Sequence, residues 1–215
     1  MQKTNYQLML ERTLADIDTS RKPSLLLHAC CAPCSSYVLE YLSKYFNITL
    51  FFYNPNISPE EEYAFRANEL RRLVREMGLS DTVRIVEGKY EPERFLQLAK
   101  GYEDLPEGGD RCERCFRLRL SEAAMAARDG GFDYFTTTLS ISPHKNAELL
   151  NTIGREMSDK YGVAYLFSDF KKKNGYKRSC EISEEYKLYR QDFCGCEFSR
   201  LAAEKRLQNK KDGEF

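Results

Sequence analysis

The sequence predicts an α/β protein with a parallel sheet, on the basis of three observations. Short apolar segments alternate with longer segments whose apolar residues repeat at helical spacing. The order of these segments is β-α-β-α-β-α-α-β-α-β, and such alternation is typical of parallel strands with helices on both faces. The chain has 215 residues and is 42% hydrophobic, which suffices for one large domain with a buried core.

Strands are predicted where short apolar or β-branched segments are bounded by turn residues. The clearest is the run of three leucines from Leu25 to Leu27, which is typical of a buried parallel strand. The predicted strands are residues 24–28, 48–53, 83–86, 132–138 and 163–167.

Helices are predicted where apolar residues return every three or four positions. The segment 60–77 shows this best, because Tyr63, Ala67, Leu70 and Val74 form one buried stripe. The other predicted helices are residues 5–17, 36–45, 92–100, 112–129, 145–161, 183–191 and 199–211.

The composition changes near residue 170. Residues 171–178 contain five cations and no acid, and two further cysteines follow before a charged closing helix. There is no internal repeat and no long linker. We therefore expect an α/β domain over residues 1–170 and a helical, cysteine-bearing C-terminal extension over residues 171–215. The extension should pack on the active site, so that both form a single structural unit.

The overall charge favours no particular class of partner. The chain contains 33 basic and 33 acidic residues, so only local patches can argue for nucleic acid. No apolar run approaches the roughly 20 residues needed to span a bilayer. The N-terminal residues lack the apolar region of a signal peptide. We expect a cytoplasmic protein with no membrane partner.

The cysteines are the strongest functional signal. Closely spaced cysteines in a reducing compartment are metal ligands or redox groups more often than disulfides. Two of them lie three positions apart at a predicted helix start, where both can face one metal. Seven thiols exceed the four of one all-cysteine site, which suggests a four-cysteine cluster with a second metal beside it. Spacing alone leaves structural zinc, an iron–sulfur cluster and a dithiol redox site open. The seven clustered cysteines are Cys30, Cys31, Cys34, Cys112, Cys115, Cys194 and Cys196.

Other polar residues have ordinary interpretations beside functional ones. Cys180 stands alone and is expected to be a spectator. His28 lies in a buried strand, where a core or supporting role is expected, and His144 reads as a helix-cap or surface residue. The basic residues of the extension form either a solvated loop or, near a redox metal site, a contact to a phosphate backbone. They are Lys171, Lys172, Lys173, Lys177 and Arg178.

Four motifs occur in order along the chain. They are LLHACCAPC at 26–34, CxxCFxxRL at 112–120, TTLxISP at 137–143 and YRQDFCGCxFS at 189–199. Together they resemble the cobalamin-independent epoxyqueuosine reductase family, QueH. The resemblance extends over nearly the whole chain.

The resemblance implies an oxidoreductase of tRNA modification on a fold similar to the adenine-nucleotide α-hydrolase-like (HUP) proteins. Its substrate would be a tRNA carrying epoxyqueuosine at the wobble position, which loses the epoxide oxygen to give queuosine. The implied cofactors are a 4Fe-4S cluster and an adjacent mononuclear metal, expected to be iron, without cobalamin. Electrons would come from an external one-electron donor of the ferredoxin or flavodoxin type. A cysteine loop stands where ATP-using relatives have a Ser/Gly-rich loop, so no ATP is expected.

Within this resemblance we assign the ligands, although the partition inside each close pair stays open. Some relatives carry aspartate at the position of Cys34, which suits a ligand of a lone metal ion better than a cluster ligand. Asp192 and Glu197 lie beside the last cysteines and are the candidates for the acid that protonates the leaving oxygen. The expected cluster ligands are Cys30, Cys112, Cys115 and Cys196, and the expected ligands of the second metal are Cys31, Cys34 and Cys194.

Two other functions compete with this hypothesis. A tRNA-thiolating enzyme on the same fold would also use cysteines and a cluster, but it would normally need an ATP loop. A zinc-stabilised RNA-binding module would have no catalytic activity. Colour distinguishes the last case, because an iron–sulfur protein is brown and a zinc protein is colourless.

Overall fold

The computed structural model describes residues 4–212, and the side chains of residues 4–209. It confirms the predicted class, because all five strands are parallel and form one sheet. The strands are β1 (Ser24–His28), β2 (Asn47–Phe52), β3 (Val83–Glu87), β4 (Tyr134–Thr137) and β5 (Ala164–Tyr165). Their spatial order is β3-β2-β1-β4-β5, which is a Rossmann-like arrangement.

Helices cover both faces of the sheet. They are α1 (Tyr6–Ala15), α2 (Ala32–Leu42), α3 (Glu60–Glu76), α4 (Pro92–Ala99), α5 (Asp110–Asp129), α6 (Ala147–Tyr161), α7 (Gly175–Glu185) and α8 (Glu197–Asp212). Leu25 and Leu27 of β1 pack into the core formed with α1, α2 and α3. Leu26 packs into the opposite core, formed with α5 and α6. The central strand is therefore buried on both faces, as its three leucines predict.

The predicted start of α2 was wrong by four residues. The helix begins at Ala32, with Cys31 at its N-cap and Pro33 in its first turn. Proline is favourable there, because the amide it lacks would have no partner within the helix. As a result Cys34 lies in the first helical turn instead of in a loop.

The predicted helix over residues 183–191 was also wrong. Helix α7 begins at Gly175, inside the basic run, and ends at Glu185. Lys187 has a positive φ of 48°, which is incompatible with continued helix. Packing decides the position of α7, because Ser179, Ile182 and Ser183 are buried and the helix lies against α2.

The connections turn in opposite directions from β1 and β4, which are neighbours in the sheet. The loops after such strands leave a crevice at the carboxyl edge of the sheet. The chain returns to this edge after α7, where the Ser58 amide donates to the Gly195 carbonyl oxygen at 3.0 Å. Arg178 of α7 forms an ion pair with Glu40 of α2. In the part of the chain that the structure describes, no helix is long and apolar enough to cross a bilayer.

Candidate active site

Three cysteines converge where the chain leaves β1. The sulfur atoms of Cys30, Cys31 and Cys34 all lie within 4.8 Å of one another. The Cys30 and Cys31 sulfurs are 3.8 Å apart. These neighbours lie close together because the chain bends at Cys30, whereas adjacent side chains of an extended strand would face opposite ways. We call these three residues the loop triad.

The loop triad concentrates negative charge on one sulfur. Hydrogen bonds from the thiols of Cys31 and Cys34 hold the pKa of Cys30 well below its usual value. The same contacts raise the pKa of Cys31 to about 11 and that of Cys34 well above its usual range. One thiolate supported by two thiols is a ready donor set for a thiophilic metal.

The other four clustered cysteines form a second group. Cys112 and Cys115 lie in the first turns of α5, and Cys194 and Cys196 lie just before or at the start of α8. All four line one small pocket, and we call them the pocket tetrad. Burial raises the pKa of Cys112 and Cys196, and raises that of Cys115 to about 12. A metal bound here would have to displace protons, as is usual for buried thiol ligands.

An open cleft lies over the loop triad. Cys194 lines both this cleft and the pocket of the tetrad, so the two cysteine groups are adjacent. Lys145 also lines the cleft. Burial alone would lower the pKa of Lys145, but the nearby thiols of Cys194, Cys30 and Cys34 raise it above its usual value. The cleft thus places a stable ammonium group beside both sets of sulfurs.

A buried polar network supports the cysteine loop from below. His28 contacts the Thr137 hydroxyl through Nδ1 at 2.8 Å and accepts from Arg119 at Nε2, 3.3 Å away. Burial and the charge of Arg119 lower the pKa of His28 to about 3, so the ring stays neutral. Asn54 donates to the Ala29 carbonyl oxygen and accepts from Arg119. His28 therefore supports the loop from within the core, which agrees with its sequence interpretation.

Several buried polar atoms around these cavities have no hydrogen-bond partner within the described residues. In the cleft they are Asn56 Oδ1, Arg66 Nη2 and Gln191 Oε1, and in the pocket of the tetrad one is Arg111 Nε. Buried polar groups in folded proteins are almost always paired. These atoms are therefore available to molecules that occupy the two cavities.

Comparison with known proteins reveals the relatives of this chain. A family model described as epoxyqueuosine reductase QueH matches residues 25–202. A protein of Streptococcus pyogenes serotype M1 named epoxyqueuosine reductase QueH is 44% identical over 218 residues, covering 99% of this chain and 85% of its own length. The chain belongs to the QueH family of epoxyqueuosine reductases.

Further QueH relatives bear the same name. One from Staphylococcus epidermidis is 42% identical over 205 residues, covering 93% of this chain and 86% of its own length. One from Thermotoga maritima is 37% identical over 184 residues, covering 83% of this chain and 91% of its own length. The resemblance found in the four motifs is thereby confirmed as family membership.

The candidate acids differ in position. Asp192 is exposed and lines the cleft. Glu197 begins α8 and is not among the described residues that line either cavity.

Cys180 lies on α7 and belongs to neither cysteine group.

The basic run lies on the turn before α7 and on its first turns, and most of its charges are paired. Lys171 donates to the carbonyl oxygen of Ser140, which lies in the turn after β4. Tyr176, in the same segment, lines the cleft. Lys172 is exposed and has no ion pair among residues 4–209. The ion pairs are Lys171 with Asp169, Lys173 with Glu11, Lys177 with Glu181, and Arg178 with Glu40 and Glu181.

Sequence reasoning missed several residues of the site. Lys145 and Asn56 follow the carboxyl ends of β4 and β2, and that position is the signal that could have identified them. Glu107 and Arg111 lie near the start of α5 and line the pocket of the tetrad. Their role depends on contacts with distant segments, for which the local sequence carries no signal.

The residues present fit two sulfur-ligated groups. All eight cysteines are unpaired thiols, and seven of them lie in the loop triad and the pocket tetrad. Four thiols around one pocket match the ligand count of an iron–sulfur cluster. Arg111 Nε, which has no partner in the described part of the chain, offers a hydrogen bond to an anionic group in that pocket.

Proposed function

We propose that this chain is an epoxyqueuosine reductase, which removes the epoxide oxygen from epoxyqueuosine at the wobble position of a tRNA. The reaction consumes two electrons and two protons and releases the oxygen as water, leaving the alkene of queuosine. The observation that carries the proposal is the adjacency of two cysteine groups at one open cleft in a QueH family member.

Seven thiols would hold the two metal groups, with two partitions open. In the first, a 4Fe-4S cluster is bound by Cys30, Cys112, Cys115 and Cys196, and a second metal, expected to be iron, by Cys31, Cys34 and Cys194. The second partition exchanges Cys30 and Cys194. The grouping of the sulfurs supports this exchange, because Cys30 lies in the loop triad and Cys194 in the pocket tetrad. When bound, the cluster would supply single electrons and the second metal an electrophilic position for oxygen.

Single substitutions distinguish the two partitions. Cys30→Ser and Cys194→Ser are each reconstituted with iron and sulfide under anaerobic conditions. The variant that loses inorganic sulfide lacks a cluster ligand, whereas the variant that keeps four sulfides but loses one iron lacks a ligand of the second metal. Loss of sulfide in Cys194→Ser alone would support the exchange, and loss in Cys30→Ser alone would support the first partition.

The chain's own groups would bind the substrate and supply protons. We propose Asp192 as the acid that protonates the leaving oxygen, because its carboxyl lines the cleft. Glu197 is the alternative acid. Arg66 and Gln191, each with a polar atom that lacks a partner among the described residues, would orient the modified nucleoside. The Lys145 ammonium would keep negative charge favourable near the sulfurs.

The partners follow from the proposed reaction. The tRNA backbone would contact the basic residues Lys171, Lys172, Lys173, Lys177 and Arg178, whose segment borders the cleft through Tyr176. Residues 171–215 would then act as an extension that completes the active site of the domain over residues 1–170. A tRNA substrate implies a cytoplasmic location and an external one-electron donor of the ferredoxin or flavodoxin type.

Metal analysis combined with a turnover assay tests the proposal. Anaerobically reconstituted protein should contain about five irons and about four sulfides per chain and should convert epoxyqueuosine to queuosine in tRNA. Cys180→Ser is the matched control and should retain both metal content and turnover. Stoichiometric zinc without sulfide, and tRNA binding without conversion, would instead indicate a zinc-stabilised RNA-binding module.

A further inference from the structure

Two buried arginines flank the cysteines of α5. Arg111 is 3% exposed and Arg119 is 1% exposed. Neither guanidinium lies within salt-bridge distance of a carboxylate among residues 4–209. The buried Arg66, by comparison, is paired with Glu62. A buried charge without a counter-ion is strongly unfavourable, so these two arginines require an anion of another kind.

The neighbours of Arg119 identify that anion. Its hydrogen bonds run to the neutral groups of Asn54 and His28. Cys115 lies four residues earlier on α5, so its thiol is on the same helix face. Arg119 also lines the cleft together with Cys30 and Cys194, whose thiols can carry negative charge. Arg119 therefore shares the cleft with the loop triad and shares a helix face with Cys115 of the pocket tetrad.

Arg111 lines the pocket of the tetrad itself. Its Nη1 donates to the carbonyl oxygens of Tyr102 and Glu103, and its guanidinium stacks on the Phe198 ring at 4.7 Å. Its Nε–H has no partner among the described residues, and Arg111 borders the pocket. Carbonyls and an aromatic ring hold this cation in place without neutralising it.

We propose that Arg111 and Arg119 are the counter-cations of the anionic sulfur-ligated group in the pocket tetrad, and that their charge raises its reduction potential. The inference rests on the proposed cluster. Each added electron makes a thiolate-bound cluster more negative, and a fixed cation nearby stabilises the reduced form more than the oxidised form. Net charge and hydrogen bonds to sulfur are the means by which proteins tune such potentials.

The test is the reduction potential of reconstituted holoprotein, measured by a mediated redox titration followed by absorbance and electron paramagnetic resonance. Arg111→Gln and Arg119→Gln should each lower the ratio of reduced to oxidised cluster at a given applied potential about tenfold, equivalent to 59 mV for one electron. Arg111→Lys and Arg119→Lys retain the charge and should stay within about threefold of wild type.

Arg94→Gln is the matched control, since this arginine is 41% exposed and already paired with Glu91 and Glu122. It should leave the potential unchanged. An unchanged potential in a glutamine variant that retains its cluster would overturn the proposal. Another outcome is that Arg119→Gln fails to assemble the cluster. In that case, cluster assembly in Arg119→Lys together with a lowered reduction potential in Arg111→Gln supports the proposal. Failure of Arg119→Lys to assemble the cluster contradicts the proposal. Wild-type protein without iron and sulfide would contradict the proposed function instead.

Discussion

At the scale of single residues, Asn54 joins the cysteine loop to the buried arginine beneath it. Its Nδ2 donates to the Ala29 carbonyl oxygen at 2.9 Å, and its Oδ1 accepts from Arg119. Asn54 is 1% exposed, so neither partner has water available as a substitute. The side chain therefore positions Cys30 and Arg119 relative to each other.

Asn54→Ala should lower the free energy of unfolding of the metal-free protein by about 1–3 kcal/mol, because it leaves a buried carbonyl and a guanidinium N–H without a partner. Urea denaturation measures the change. Asn68→Ala is the control, since Asn68 is exposed on α3 and its side chain bonds only the exposed Arg71 among the described residues. It should cost less than about 0.5 kcal/mol. Equal losses in the two variants would show that the Asn54 bonds contribute nothing specific.

Cys34 should tolerate a carboxylate if it binds the second metal. Cys34→Asp is expected to retain the cluster and part of the turnover, since carboxylate oxygen can replace thiolate on a borderline ion. Cys34→Ala should keep four sulfides but lose one iron and turnover. Iron and sulfide analysis with an absorbance spectrum checks both. A colourless Cys34→Ala protein would place Cys34 on the cluster.

At the scale of secondary-structure elements, a glycine sets the distance between α6 and the edge strand β5. Gly154 is buried on α6, and a Cβ atom at this position would come within 2.3 Å of the Tyr165 ring. Tyr165 is itself buried and packs edge-on against Phe135 of β4. The ring has little space to move, so the close approach of helix and strand requires glycine.

Gly154→Ala should therefore destabilise the protein by about 1–3 kcal/mol through overpacking. Helix propensity alone would favour alanine by about 1 kcal/mol, so the sign of the change separates the two effects. Urea denaturation measures the change in the free energy of unfolding. Thr152→Ala, on the exposed face of the same helix, is the control. An increase in stability for Gly154→Ala would show that the Tyr165 ring moves aside.

At the scale of the whole molecule, the total charge is balanced and one run of basic residues lies near the carboxyl edge of the sheet. The basic run follows β5 and lies near the carboxyl edge, where Lys171 reaches the turn after β4. Lys44 lies at the opposite edge, shortly before β2 begins. A tRNA whose wobble nucleoside enters the cleft would pass near the basic run and far from Lys44.

Neutralising the five basic residues of the run should weaken tRNA binding and flatten its dependence on salt. Each lost contact to a single-stranded phosphate lowers the slope of log affinity against log salt by about 0.7. We expect a total decrease of about 0.7 to 1.4, because four of the five cations are already paired and Lys172 is not. Binding titrations at several salt concentrations measure it, and Lys44→Gln should leave the slope unchanged. An unaltered slope in the fivefold variant would indicate that the RNA binds another surface, for example around Arg71 and Arg72.

Much of the fold and part of the site could be predicted from the sequence, because both depend on local patterns. The three consecutive leucines of β1 are typical of a strand that is buried on both faces. The apolar residues from Tyr63 to Val74 recur at the spacing of a helix. Their alternation implied the parallel sheet that the structure confirms. The cysteine spacings identified all seven thiols of the two groups, since cysteines close in sequence lie on one turn of the chain.

The tertiary structure alone decided how distant segments meet. Cys112 and Cys194 are 82 positions apart (194 − 112), and only the return of the chain over the carboxyl edge brings them to one pocket. Packing against α2 places the start of α7 inside a basic run that looked like a loop. The absence of a carboxylate beside Arg111 and Arg119, within the residues that the structure describes, is equally invisible in the sequence. Local patterns depend on neighbours within a few residues, whereas charge compensation and metal sites depend on whatever the fold brings within a few ångströms.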